Sequence, residues 1–186
     1  MKRAEIILGG LIVLFMTLRL FYAFPYMNIA IILLTMVLSI TYLFLGFAFL
    51  NKVRLRNIFK KDAYNGISAL RILGTIFTGF VLSQICIYSL FKYMRWPYGN
   101  QGLVIALNML LVILVIVVIK LIISKKRFYM IFLIRLMIFV FLGIFMFFFP
   151  DETILEMKNR NDPEYIEAEK ERIKEMEDLQ FQQSKD

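Results

Sequence analysis

Histidine is absent from this chain of 186 residues, and Cys86 is its single cysteine. That leaves no Cys/His zinc site, no His-ligated haem, no disulfide framework and no His-based triad. Cys86 stands inside an apolar run and reads as buried filler. Acids are scarce too, with 14 Asp and Glu in all, and ahead of Pro150 only Glu5 and Asp62. Glu5 is at the edge of the first apolar run and Asp62 is in a loop. Proton relays and cation sites in membranes ordinarily rest on embedded carboxylates or His. A proton-driven pump would have to take its acid from another chain. No Gly-rich phosphate loop, nucleophile elbow or metal cluster stands in the sequence. These absences exclude the common enzyme chemistries, and the chain reads as a non-enzyme with no cofactor.

What the chain does have is apolar residues, which make up 60% of it against 19% charged. They gather into runs of about 20, long enough to cross ~30 Å of hydrocarbon. The sequence therefore predicts an all-α polytopic membrane protein. Five transmembrane helices are expected over residues 4–24, 29–50, 66–94, 101–124 and 128–149, within a domain of residues 1–149. Met1-Lys2-Arg3 before the first run imitates a signal peptide. No small-x-small cleavage pattern follows, since Phe21 stands two residues before Ala23, so this segment is expected to remain as the first span. In the polar loop 51–65, Leu55, Ile58 and Phe59 fall at helical spacing. Either a short interfacial helix on anionic headgroups or a solvated basic loop fits that pattern.

The segment 150–186 differs in kind. It holds 12 acids and 6 bases, a net of −6, against 16 bases and 2 acids in the rest, a net of +14; together they give the chain's +8. Asp162-Pro163-Glu164 reads as an N-cap, a first-turn proline and an acid at the positive end of a helix. An extramembrane helix is expected from there to about Gln182, with pairs such as Glu171–Lys174 and Lys174–Asp178. Its apolar stripe, Ile166, Ile173, Met176 and Leu179, is narrow. The helix is either solvated or docked on a partner. The basic segments are the N-terminus, the 51–65 loop and Lys125-Lys126-Arg127. With five spans all three fall on one side, which the charge bias assigns to the cytoplasm. The acidic tail then faces outward. The positive charge is assigned to this topology and to anionic lipid headgroups, not to nucleic acid.

Two aromatic turns organise the chain. One is Leu90-Phe91-Lys92-Tyr93-Met94-Arg95-Trp96-Pro97-Tyr98-Gly99-Asn100. The other is Leu20-Phe21-Tyr22-Ala23-Phe24-Pro25-Tyr26-Met27-Asn28. Tyr22, Tyr26, Tyr93, Trp96 and Tyr98 would form an interfacial belt. Aligning Pro25 with Pro97 makes spans one–two and three–four two related, parallel hairpins. Lys120, Arg19, Lys92, Arg95 and Arg71 lie near span ends and are expected to snorkel. Arg135 lies deepest and is expected to make a polar contact. Gln84 and Asn108 sit at similar depth on either side of the turn and are expected to hydrogen-bond across the hairpin. Thr75, Gly79 and Ser83, and Gly102 with Ala106, recur every four residues as packing seams.

The second hairpin, Gly79 to Val118, resembles the transmembrane hairpin of GldL, the inner-membrane motor protein of gliding motility and type IX secretion. The resemblance rests on Leu90, Phe91, Lys92, Met94, Trp96, Pro97 and Asn100. Two positions depart from the pattern. Arg95 stands where the family has His, and Leu110 stands near the family's membrane glutamate. The resemblance implies a related hairpin fold without the motor's ion coupling. The function expected is that of an accessory or scaffold subunit of an envelope protein complex, in contact with other membrane subunits and possessing a link to protein export. The alternative is an oligomeric ion channel or small-solute transporter lined by Gln84, Asn108 and Arg135.

Overall fold

The structure, a computed structural model, describes residues 2–21, 26–159 and 162–183. Among these residues the regular structure is helical throughout: α1 Lys2–Phe21, α2 Met27–Leu50, α3 Ala69–Met94, α4 Gly99–Ser124, α5 Arg127–Phe148, α6 Asp151–Lys158 and α7 Pro163–Gln183. Four of them, α2 to α5, are long and apolar enough to cross a membrane. Helix α1 has 20 residues, and its apolar stretch among the described side chains is Ile7–Met16. The first aromatic turn, 22–25, lies outside the described residues, as do the side chains of Met176, Asp178 and Leu179.

Local chemistry sets the helix ends. Helix α3 starts at Ala69, three residues later than the apolar run suggests. Gly66 turns the chain at a φ of 80°, and the Ser68 hydroxyl then accepts a bond from the Arg71 N–H at 3.4 Å, as an N-cap does. Helix α7 starts where Asp162-Pro163 predicts, with the Asp162 carboxylate accepting from the Tyr165 N–H at 3.1 Å. The C-termini of α2, α3 and α4 share a device. Lys52, Arg95 and Lys125 follow α2, α3 and α4 with φ of 61°, 57° and 48°. At α3 the Arg95 N–H donates to Lys92 O at 2.9 Å and the Trp96 N–H to Phe91 O at 2.8 Å. The same pair closes α2, from Lys52 to Phe49 O at 3.2 Å and from Val53 to Ala48 O at 2.8 Å. Glycine normally occupies this left-handed position, and a side chain there costs ~1–2 kcal/mol. Here every such side chain is a base beside the negative end of a helix, which returns about 0.3–1 kcal/mol.

Helix α3 is the centre of the bundle, packed against α2, α4 and α5. Its Val81, Leu82 and Ile85 are buried with Leu103, Leu110 and Leu136 from α4 and α5. The α2–α3 crossing is the closest. A Cβ on Gly46 would lie 2.7 Å from the Gly79 Cα, and one on Gly79 would lie 2.6 Å from Tyr42 O. On one side of this contact Ser39 and Ser83 share a 2.8 Å hydroxyl bond. On the other, Asn51 donates to Thr75 Oγ1 at 2.7 Å and accepts from Arg71 Nε at 2.8 Å. The four-residue recurrence of Thr75, Gly79 and Ser83 is thus the seam its spacing predicts. Gly102 and Ala106 form a second seam, with Gly102 against the Tyr88 ring.

The 51–65 loop is no single interfacial helix. It makes two short 3-10 turns, Leu55–Asn57 and Lys61–Tyr64. Phe59 is fully exposed, at 100%. The loop is pinned instead by Val53, which is buried, and by Tyr64, which stacks on Phe47 with centroids 6.3 Å apart and donates to Ile58 O at 2.8 Å.

A branched side chain at Gly79 has backbone, not a movable rotamer, in its way. Gly79→Val is therefore expected to cost ~1–3 kcal/mol of bundle stability, read as a lowered melting temperature in detergent. Gly74→Ala, where nothing lies within 4 Å of a new Cβ, serves as the control and should melt no lower than the wild type.

Candidate functional site

The end of the bundle that carries the tail is built around Lys92. It lies in the last turn of α3, and its side chain is only 5% exposed. The sequence reading expects a snorkelling lysine, and the structure corrects it. Gly99 permits the burial, since it opens α4 directly against the Lys92 backbone, 2.7 Å from where its Cβ would stand. The ammonium turns inward and donates to Phe147 O at 2.6 Å. Phe147 is in the last turn of α5, where carbonyls have no intrahelical donor. The ammonium also lies 3.8 Å from the Asp151 carboxylate, at the start of α6. One side chain of α3 thereby fixes the end of α5 and the beginning of α6. Arg19, in the last turn of α1, is also buried, at 6%, so it too departs from the snorkelling expectation. The Tyr93 hydroxyl ties α3 to Asn28 of α2 at 3.0 Å.

Arg95 extends the site to the tail. Its left-handed backbone turns the side chain towards α7, where Nη1 lies 3.4 Å from Glu169 Oε1. Glu169 also pairs with Arg172 at 3.0 Å. Lys170 donates to Glu156 Oε1 at 2.6 Å, which ties α7 to α6; that bond holds the Lys170 ammonium above its ordinary pKa. The rest of the turn faces out. Phe91 is half-buried and meets the exposed Trp96 edge-on at 5.1 Å. Pro97, Tyr98 and Asn100 are exposed.

The sequence reading does not foresee α6. Its Ile154 and Leu155 are 1% exposed, and α6 packs on α1. The signal is present in retrospect: Pro150 followed by Asp151 and Glu152 opens a helix, and Ile154-Leu155 is an apolar pair between acids. Eight residues are too few to stand out by periodicity.

The three polar residues proposed within the spans are not brought together. Gln84 is half-buried on α3. Asn108 is exposed on α4, and its amide donates to Val104 O of its own helix at 3.0 Å, not to Gln84. Arg135 is half-buried on α5, beside a narrow hollow it lines with Lys52, Phe128 and Phe132. That hollow is at the opposite, basic end of the bundle, where the Arg71 guanidinium sits 3.4 Å over the Phe128 ring. No group of three or more His, Cys, Asp or Glu able to hold a metal occurs among the described residues. No protein-family model matches the chain, and neither a curated protein nor a solved structure does.

Lys92→Met keeps most of the buried volume and removes the donor. It leaves the Phe147 carbonyl without its partner, at a cost of ~1–3 kcal/mol. The expected outcome is faster cleavage of the tail by a protease added in mild detergent, with α2 to α5 still intact on a gel.

Proposed function

We propose that the chain is a non-catalytic accessory or scaffold subunit of a bacterial inner-membrane or envelope complex. In this reading α1 joins α2 to α5 as a fifth span. The N-terminus, the 51–65 loop and the Lys125-Lys126-Arg127 link face the cytoplasm, and α6 and α7 face the periplasm. The charge bias supports that orientation. The two hairpins, α1–α2 and α3–α4, are read as related, and each ends its first helix on a buried base, Arg19 or Lys92. A link to protein export or gliding rests on the resemblance of the second hairpin to GldL. The same hairpin carries Arg95, which holds the tail.

The observation that carries the proposal is the outward face of α7. Glu169 and Lys170 spend their charges on the chain's own ion pairs. Glu164, Glu167, Glu171 and Glu175 are exposed instead. They recur at three- and four-residue spacing, where like charges repel by about 0.2–0.5 kcal/mol per pair. Within the helix that repulsion is offset only in part, for Glu164 by the positive end of α7 and for Glu167 by the neighbouring Lys170. A basic surface on another subunit would relieve it, and the ion pairs of α6 and α7 hold the stripe in place for such contact.

Gentle affinity purification from native membranes tests the reading. Stoichiometric companion proteins are expected with the wild-type chain. They should be lost when Glu164, Glu167 and Glu171 are all changed to Lys, at unchanged membrane levels of the bait. Recovery of no other chain, or companions indifferent to the charge reversal, would refute it. Reagents that label single engineered cysteines from one side check the span count: with α1 as a span, residues 3 and 56 should label from one face and residue 170 from the other, whereas residue 3 would label with residue 170 if α1 did not cross.

A further inference from the structure

Among the described residues the exposed surface of α2 to α5 is largely apolar, as a lipid-facing surface should be, and Asn108 on α4 is a polar side chain exposed well within it. Gln101, Ile105, Asn108, Val112, Val115 and Ile119 are all exposed. Their spacing of four, three, four, three and four residues is the repeat that keeps one helix seam against another. Ile105, Val112, Val115 and Ile119 are 50–58% exposed, and by themselves they are equally at home in lipid. Asn108 is not. It stands nine residues into α4, about 14 Å along the axis at 1.5 Å per residue, well inside the hydrocarbon depth. A carboxamide has two N–H donors and an acceptor oxygen. Among the described residues, the bond shown for Asn108 uses one N–H, to Val104 O. Water is not there to satisfy the remainder.

We propose that this α4 face is the interface of a parallel dimer with a second copy of the chain, joined by Asn108 to Asn108 across the two-fold axis. Two features select a second copy over another occupant, and a third favours packing at this face. A carboxamide is its own complement, donating and accepting at once. Two copies inserted by the same topology run parallel, so Asn108 meets Asn108 at one depth without further adjustment. The flanking Ile and Val are β-branched, with little rotamer freedom to lose on packing. A two-fold contact of this kind is isologous and closes at two subunits. The proposal is independent of the partner suggested for α7.

Cysteine cross-linking in native membranes tests it, in a chain whose Cys86 is replaced by Ser. Val112→Cys is expected to give a disulfide-linked species of twice the chain mass, and Ile138→Cys, exposed on α5, is expected to give none. Purified chains labelled with donor and acceptor fluorophores, reconstituted at increasing lipid dilution, measure the association. Asn108→Leu should weaken it by roughly 3- to 30-fold, and Asn108→Gln should restore most of it. Both residues fit an exposed site, so the fold is preserved. Equal cross-linking at α4 and α5, an adduct of another mass, or association unchanged by Asn108→Leu would overturn the proposal.

Discussion

A lysine ammonium enclosed at one end of a membrane bundle fixes what can stand around it. Lys92 is buried, and an unpaired charge removed from water carries a penalty far larger than any single contact in this protein returns. The ammonium therefore needs acceptors. The last turn of α5 has carbonyls free because a helix C-terminus always does. Asp151 supplies the opposite charge one turn further on. The positions of α5 and α6 at this end follow from that need. So does the tail's, because α6, with Ile154 and Leu155 buried, then packs on α1, and Arg95, three residues after Lys92, reaches Glu169 of α7. The element that looks like an appendage in the sequence is coupled to the centre of the bundle through the end of α3, by Lys92 and Arg95.

The opposite end is held by a different arrangement. Apolar burial does little to hold helices together in lipid, since hydrocarbon outside is as apolar as Leu inside. Close backbone approach and satisfied polar contacts do it instead. Gly46 and Gly79 supply the approach. The Ser39–Ser83 bond and the Arg71–Asn51–Thr75 chain of bonds supply the contacts, and Arg71 finishes over Phe128. The seam thus joins α2, α3 and the start of α5 at the basic end, as Lys92 joins α3, α5 and α6 at the acidic one. Helix α3 takes part in both, which is why it is central.

Much of this was legible in the sequence because it depends on position along one helix axis. Runs of apolar residues mark α2 to α5, four-residue recurrences mark the Thr75–Gly79–Ser83 seam, and Asp162-Pro163 marks the start of α7. What was not legible depends on rotation about the axis. Gln84 and Asn108 match in depth, yet Asn108 points away from the hairpin. Depth is counted from the turn, whereas azimuth is set by which faces the Gly102–Ala106 seam consumes. The same limit explains Lys92. A base near a span end reads as snorkelling, and only the closure of Gly99 onto its backbone shows that its side chain is enclosed. For the 51–65 segment the sequence leaves a helix and a basic loop open, and the structure takes the loop: Leu55, Ile58 and Phe59 keep helical spacing over too few residues to nucleate a helix, and Tyr64 holds the chain in tighter turns.

The bases at left-handed positions connect these two lessons. Gly at Lys52, Arg95 or Lys125 would remove backbone strain, so a sequence shaped by stability alone would place Gly there. A base gives up that advantage and gains a charge fixed at the bundle rim, at the negative end of a helix. At Lys52 and Lys125 the charge adds to the basic end of the bundle. At Arg95 it lies at the other end, and there it is matched by Glu169. The acidic tail therefore does more than extend from the bundle: it neutralises the left-handed base that stands at its own end.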